Sequence, residues 1–77
     1  MTKLERVWTY MKMHGGYITG VEALRYCGYY RLSDAILKLR RRGIGITTTM
    51  IQKDGESYAQ YGCPIKEMVR AEAEGLI

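Results

Sequence analysis

A chain of 77 residues, 47% of them hydrophobic, is one domain near the lower size limit for folding alone, and it is too apolar to be disordered. Phe is absent and seven Tyr with one Trp supply the large rings, so a thin core is expected, rimmed by rings that keep one polar end wet. The net charge is +4; two cysteines, Cys27 and Cys63, are too few for a disulfide scaffold and fit no metal spacing, which excludes the cysteine-stapled classes.

The start of the chain carries Lys3, Glu5, Arg6 and Lys12, which interrupt any apolar signal core, and no apolar run approaches membrane-spanning length. A soluble, cytoplasmic protein with no membrane partner is expected.

Residues 2–14 read as a helix. Leu4, Val7, Trp8 and Met11 share one face, Thr2 with Glu5 forms a capping box, and Gly15-Gly16 stops the helix near His14. Tyr17-Ile18 is a short extended piece. Thr19 with Glu22 repeats the capping box and opens a second helix over residues 20–27, with Ala23, Leu24 and Cys27 inward and Gly28 as its stop. A third helix follows over residues 31–42, where Leu32, Ala35, Ile36 and Leu39 form the apolar stripe and Gly43 ends it.

The period then changes. Residues 46–52 alternate and hold three consecutive threonines, Asp54-Gly55 is a two-residue hairpin turn, and residues 57–61 form the return strand. Folding about the turn pairs Lys53 with Glu56, Ile51 with Tyr58, Met50 with Ala59 and Thr48 with Tyr61. Pro64 can open a last helix over residues 64–74, with Ile65, Met68, Val69 and Glu72 on one face. A helix this short is marginal alone. It is expected to pack on its own domain, near Leu4, Val7 or Trp8, or on a second copy as a homodimer element.

Charge is distributed unevenly. Residues 25–53 hold Arg25, Arg31, Lys38, Arg40, Arg41, Arg42 and Lys53 against Asp34 alone, a net of +6. Residues 54–77 hold Lys66 and Arg70 against Asp54, Glu56, Glu67, Glu72 and Glu74, a net of −3. A positive centre beside an acidic tail suits a polyanion facing the centre only. Two short helices joined by a Gly-containing turn, the second of them basic, followed by a hairpin, match a helix-turn-helix with a wing. The expected fold is mainly α with a small β-hairpin: a winged helix-turn-helix of three helices and a two-stranded wing over residues 1–62, with a C-terminal helical extension over residues 63–77.

The stretch from Ile18-Thr19 through Glu22-Ala23-Leu24, Gly28, Arg31-Leu32, Leu39-Arg40, Gly43, Ile46 and Thr48 to Tyr58-Ala59 and Tyr61 resembles a small winged helix-turn-helix family common in phages and mobile elements. Ala35 departs from that family's pattern, which has a more polar residue nearby. The resemblance covers roughly residues 15–61 and implies the winged fold and binding of double-stranded DNA in a bacterial host cytoplasm. The role it implies is that of a transcription regulator or an excisionase-like accessory factor. The alternative is a protein-binding inhibitor or adaptor of host machinery on the same fold.

Candidate contacts follow from chemistry. Arg31, Ser33, Asp34 and Lys38 occupy the early, outer part of the basic helix, where side chains reach base edges. Asp34 equally suits a helix start, Ser33 a cap, and Arg31 a brace for the turn. Arg40, Arg41 and Arg42 suit phosphates, or the negative end of the helix. Tyr29 and Tyr30 in the turn, Thr47 and Thr49 on the wing, and Lys53 at its tip are further phosphate candidates; one tyrosine is expected to be half-buried, and Lys53 has Glu56 as an alternative partner. No enzyme chemistry, cofactor or metal is expected: His14 is the only histidine, there is no phosphate-binding glycine loop, and Cys27 lies on an apolar face.

Overall fold

The computed structural model describes all residues, Met1–Ile77. Helix α1 spans Lys3–Met13, with Thr2 and Glu5 exchanging the two hydrogen bonds of a capping box. Strand β1, Tyr17–Thr19, follows. Helix α2 starts as a single α-helical turn, Gly20–Glu22, capped by Thr19 with Glu22. It continues as a π-helical segment, Ala23–Cys27. Helix α3 spans Leu32–Arg41, strands β2 and β3 span Thr47–Lys53 and Glu56–Gly62, and helix α4 spans Ile65–Ala73. The expected element order holds, with ends displaced by a residue.

The hairpin register is the expected one, from Lys53 opposite Glu56 to Thr48 opposite Tyr61. Asp54 and Gly55 both take positive φ, 53° and 78°, the backbone of a two-residue turn whose twist matches the flanking strands. The sheet has three strands rather than two. β1 pairs antiparallel with the far end of β3, Ile18 opposite Tyr61, giving the order β1-β3-β2. A three-residue strand carries too little pattern to announce a partner some forty residues away.

One core joins all four helices: Val7, Trp8 and Met11 from α1, Ala23 and Cys27 from α2, Leu32, Ala35, Ile36 and Leu39 from α3, and Met68 and Ala71 from α4. Ala35 is fully buried, so its small apolar side chain serves packing and reaches no base. Both cysteines are buried and free.

Two faces differ from expectation. Leu24 was placed inward but is 52% exposed. The α2 helix closes with Gly28 N–H donating to the Ala23 carbonyl, five residues back. That wider turn stacks Ala23 and Cys27 on the core side and turns Leu24 out. On α4, Ile65 and Val69 are 51% and 61% exposed, while Met68 and Ala71 are buried. Two polar anchors set this rotation. Glu67 reaches the Gly45 amide on one flank, and Glu72 accepts from Trp8 Nε1–H at 3.0 Å on the other. At 3.6 residues per turn, Ala71 and Met68 fall between those anchors and Ile65 and Val69 fall outside.

Candidate nucleic-acid interface

The outward face of α3 carries Ser33, Asp34, Leu37, Lys38 and Arg41, all exposed. The helix folds this way because its apolar residues recur at helical spacing and face the core, which leaves the polar ones on the opposite side. Arg31 is the N-cap residue without a side-chain capping bond, and Asp34 sits in the first turn. Ser33 therefore is not the cap. Leu37 was missed in the sequence. It lies outside the Leu32, Ala35, Ile36, Leu39 stripe, which was signal enough to place it outward. An apolar side chain among polar ones there can meet a thymine methyl.

At the start of α3, Tyr29 is half-buried against the core and Tyr30 is 84% exposed. Lys38 Nζ donates to the Tyr29 hydroxyl at 3.4 Å. Tyr29, Tyr30, Arg31 and Lys38 line a common cavity of about 520 Å³, together with Lys3 from α1. Sequence separation hid Lys3 from this group.

The remaining candidates divide. Arg41 is exposed and enters no ion pair. Arg42 Nη1 makes one long bond to the Leu76 carbonyl, 3.4 Å. Arg40 is committed to the wing: Nε and Nη2 donate to the Ile46 carbonyl at 3.1 and 2.8 Å, and Nη2 donates to Thr48 Oγ1 at 2.8 Å. Its guanidinium carbon also lies 6.0 Å from the Tyr61 ring centre. Thr47 turns its hydroxyl inward to the Gly62 carbonyl. Thr49 and Lys53 stay exposed on the wing, far along the chain from the α3 group.

The root of the wing is held from the other side by α4. Gly45 N–H donates to Glu67 Oε2 at 2.6 Å, and Arg70 Nη2 donates to the Gly43 carbonyl at 2.9 Å. Arg70 also pairs with Glu67 and Glu74. Glu72 pairs with Lys12 at 2.8 Å. Both acids of α4 and its C-cap Glu74 are thus paired internally, on two cations. None of the seven basic side chains between residues 25 and 53 is in an ion pair. The Arg70 bond, followed by the Gly45 amide, holds the Glu67 carboxyl down at about 2, against an ordinary 4.5.

A carboxyl held low in the folded state stabilises the fold fully above its unfolded pKa. That contribution is lost as pH falls from about 4.5 toward 2. Glu67→Gln is therefore expected to flatten the acid limb of the stability curve in that window. Urea melts at stepped pH would check this; an acid limb identical to wild type would remove Glu67 from the linkage.

His14 stacks on Tyr10 with ring centres 3.9 Å apart, and its Nδ1 lies 2.8 Å from the Tyr10 carbonyl, a helix-end role. No group of His, Cys, Asp and Glu is placed to hold a metal ion. No helix is long and apolar enough to cross a membrane.

No curated protein and no solved structure gives a significant match to the chain. A family model described as a winged helix-turn-helix domain matches residues 2–63. That span runs from the α1 cap through α2, the basic α3 and the hairpin to the end of β3, so the chain belongs to the winged helix-turn-helix domain family.

Proposed function

We propose that the protein binds double-stranded DNA, with the outer face of α3 in the major groove and the wing against the phosphate backbone. One observation carries this reading: the acids of α4 and its C-cap are engaged within the fold by Arg70 and Lys12, whereas the basic side chains of α3 and its flanks are left without ion-pair partners. The positive field therefore emerges on one side of a domain whose family supplies the groove-sized helix. Arg31, Ser33, Asp34, Leu37 and Lys38 are the base-reading candidates; Tyr29, Tyr30, Arg41, Arg42, Thr49 and Lys53 are the phosphate candidates.

Fluorescence anisotropy on labelled duplexes across a salt series tests this. Binding should weaken steeply with salt as condensed counterions are released. Arg41→Ala should lower the salt slope by about one on all sequences alike, while Arg31→Ala or Lys38→Ala should cost about 1–3 kcal/mol mainly on the preferred site. Arg40→Ala should lower thermal stability and leave the salt slope unchanged, since its donors serve the wing. A slope that falls with Arg40→Ala and not with Arg41→Ala would reverse these two assignments.

The finer role is regulation of transcription or excisionase-like assistance of recombination in a phage or mobile element, the role that the resemblance over residues 15–61 implies. Selection of bound sequences from a random duplex pool tests it: one enriched motif supports a regulator or accessory factor, and no enrichment counts against both.

A second reading, docking of a protein partner, draws on the exposed apolar side chains Met13, Val21 and Tyr26 on the α1–α2 side. Absence of salt-dependent retention on nonspecific duplex would favour it.

A further inference from the structure

The cavity between the first turn of α1 and the start of α3 holds more positive charge than either element needs. Lys3, Arg31 and Lys38 converge on it from three places in the sequence, and no acidic side chain lines it. None of the three enters an ion pair. The nearest acid in sequence, Glu5, is turned away: its carboxylate accepts from the Thr2 amide, and it lines a separate cavity with Trp8 and Glu72. Tyr29 and Tyr30 line the cavity as well. Tyr29 is fixed, with its amide donating to the Ala23 carbonyl at 3.0 Å and its hydroxyl accepting from Lys38; Tyr30 is free.

Three cations with two hydroxyl donors form an anion seat, and tetrahedral phosphate can take donors from several directions at once. A helix lying in the major groove is flanked by backbone on both sides, and the start of α1 stands beside the start of α3. We propose that Lys3 and the Tyr29 and Tyr30 hydroxyls, in the positive field of the base-reading Arg31 and Lys38, seat a phosphodiester of the duplex backbone, making the start of α1 an anchor of the interface separate from the wing. This rests on the DNA-binding reading and adds to it a residue, Lys3, outside the helix-turn-helix and the wing.

The test is the anisotropy titration with the full chain. Lys3→Ala should weaken binding roughly fivefold on preferred and random duplexes alike, the effect of one lost hydrogen bond, and lower the salt slope by about one. Lys3→Arg should restore the slope. Lys66→Ala, which removes the same charge from α4, should leave it unchanged. Tyr30→Phe, at a fully solvated position, should weaken binding without changing the slope and serves if Lys3→Ala melts early. The same chemistry would serve a free mononucleotide, so AMP is added as competitor and should not displace the duplex at concentrations where the duplex saturates. A wild-type slope in Lys3→Ala with wild-type affinity in Tyr30→Phe overturns the seat and leaves DNA binding standing. Displacement by AMP overturns the duplex assignment of the seat. A wild-type chain that binds no duplex at any salt overturns both.

Discussion

Gly16→Ala is expected to cost at least about 2 kcal/mol, because left-handed strain and overpacking each contribute about 1–3 kcal/mol. Gly16 has φ 93°, and a Cβ placed there would run into the Cys63 carbonyl oxygen. The two backbones meet because the Cys63 amide donates to the Gly16 carbonyl at 2.8 Å, while the Gly16 amide donates to the Met11 carbonyl at 2.7 Å. One residue thus ends α1, starts β1 and holds the exit of β3. In a domain of this size each kcal/mol is worth about 4–8 °C, so Tm should fall by at least about 8 °C. Gly20→Ala is the contrast: its Cβ would meet nothing within 4 Å and its φ is not positive, so Tm should hold or rise. Thermal melts by circular dichroism decide it. A Gly16→Ala protein melting with wild type would mean that the β1–β3 junction is looser than described.

Removal of residues 64–77 should be at least as costly. Met68 and Ala71 leave the common core, and Leu76 and Ile77 leave its margin. Full burial of a side chain such as Met68 is worth about 1.5–3 kcal/mol before the cavity left behind is counted. The Glu67 and Arg70 bonds to the Gly43–Gly45 backbone go as well. The truncated chain should melt lower at every concentration, and Trp8 should report the change by fluorescence, since its indole N–H loses Glu72. Met68→Ala, which keeps the helix, should cost about 2–5 kcal/mol. Sedimentation separates this from self-association. A truncated chain of unchanged stability that shifts from dimer to monomer would make α4 an assembly element, with Ile65 and Val69 as its contacts.

Much of this architecture was written locally. Thr2 with Glu5 and Thr19 with Glu22 are chemical pairs three residues apart, and each forms the reciprocal bonds its spacing implies. Asp54-Gly55 fixed the register of the whole hairpin because the turn geometry admits few alternatives. Features that depend on distant partners were hidden. Arg40 reads as one of three equivalent arginines, and only the folded wing places the Ile46 carbonyl within its reach. The buried side of α4 is chosen by a glycine amide and an indole N–H from other elements, so hydrophobicity along the helix found Met68 but added Ile65 and Val69 and omitted Ala71. Lys3 could be joined to Tyr30 and Arg31 only once α1 and α3 were placed side by side. Leu37 is the reverse case, a residue whose outward position was legible and passed over.

The strand order β1-β3-β2 leaves β2 as an edge strand. Every second residue from Thr47 to Lys53 directs its backbone N–H and C=O away from β3, available for strand addition. Residues 46–52 carry no charge and no proline, and they are rich in β-branched side chains, the composition that pairs readily with copies of itself. The only charged side chain on the strand is Lys53, at its outer end. Self-association along this edge is opposed mainly by repulsion between the net positive domains, and that repulsion is short-ranged once the Debye length shrinks with added salt. Salt high enough to release DNA from the proposed α3 interface would thus also lower the barrier to edge-to-edge aggregation, and a charge introduced at Thr49 would uncouple the two.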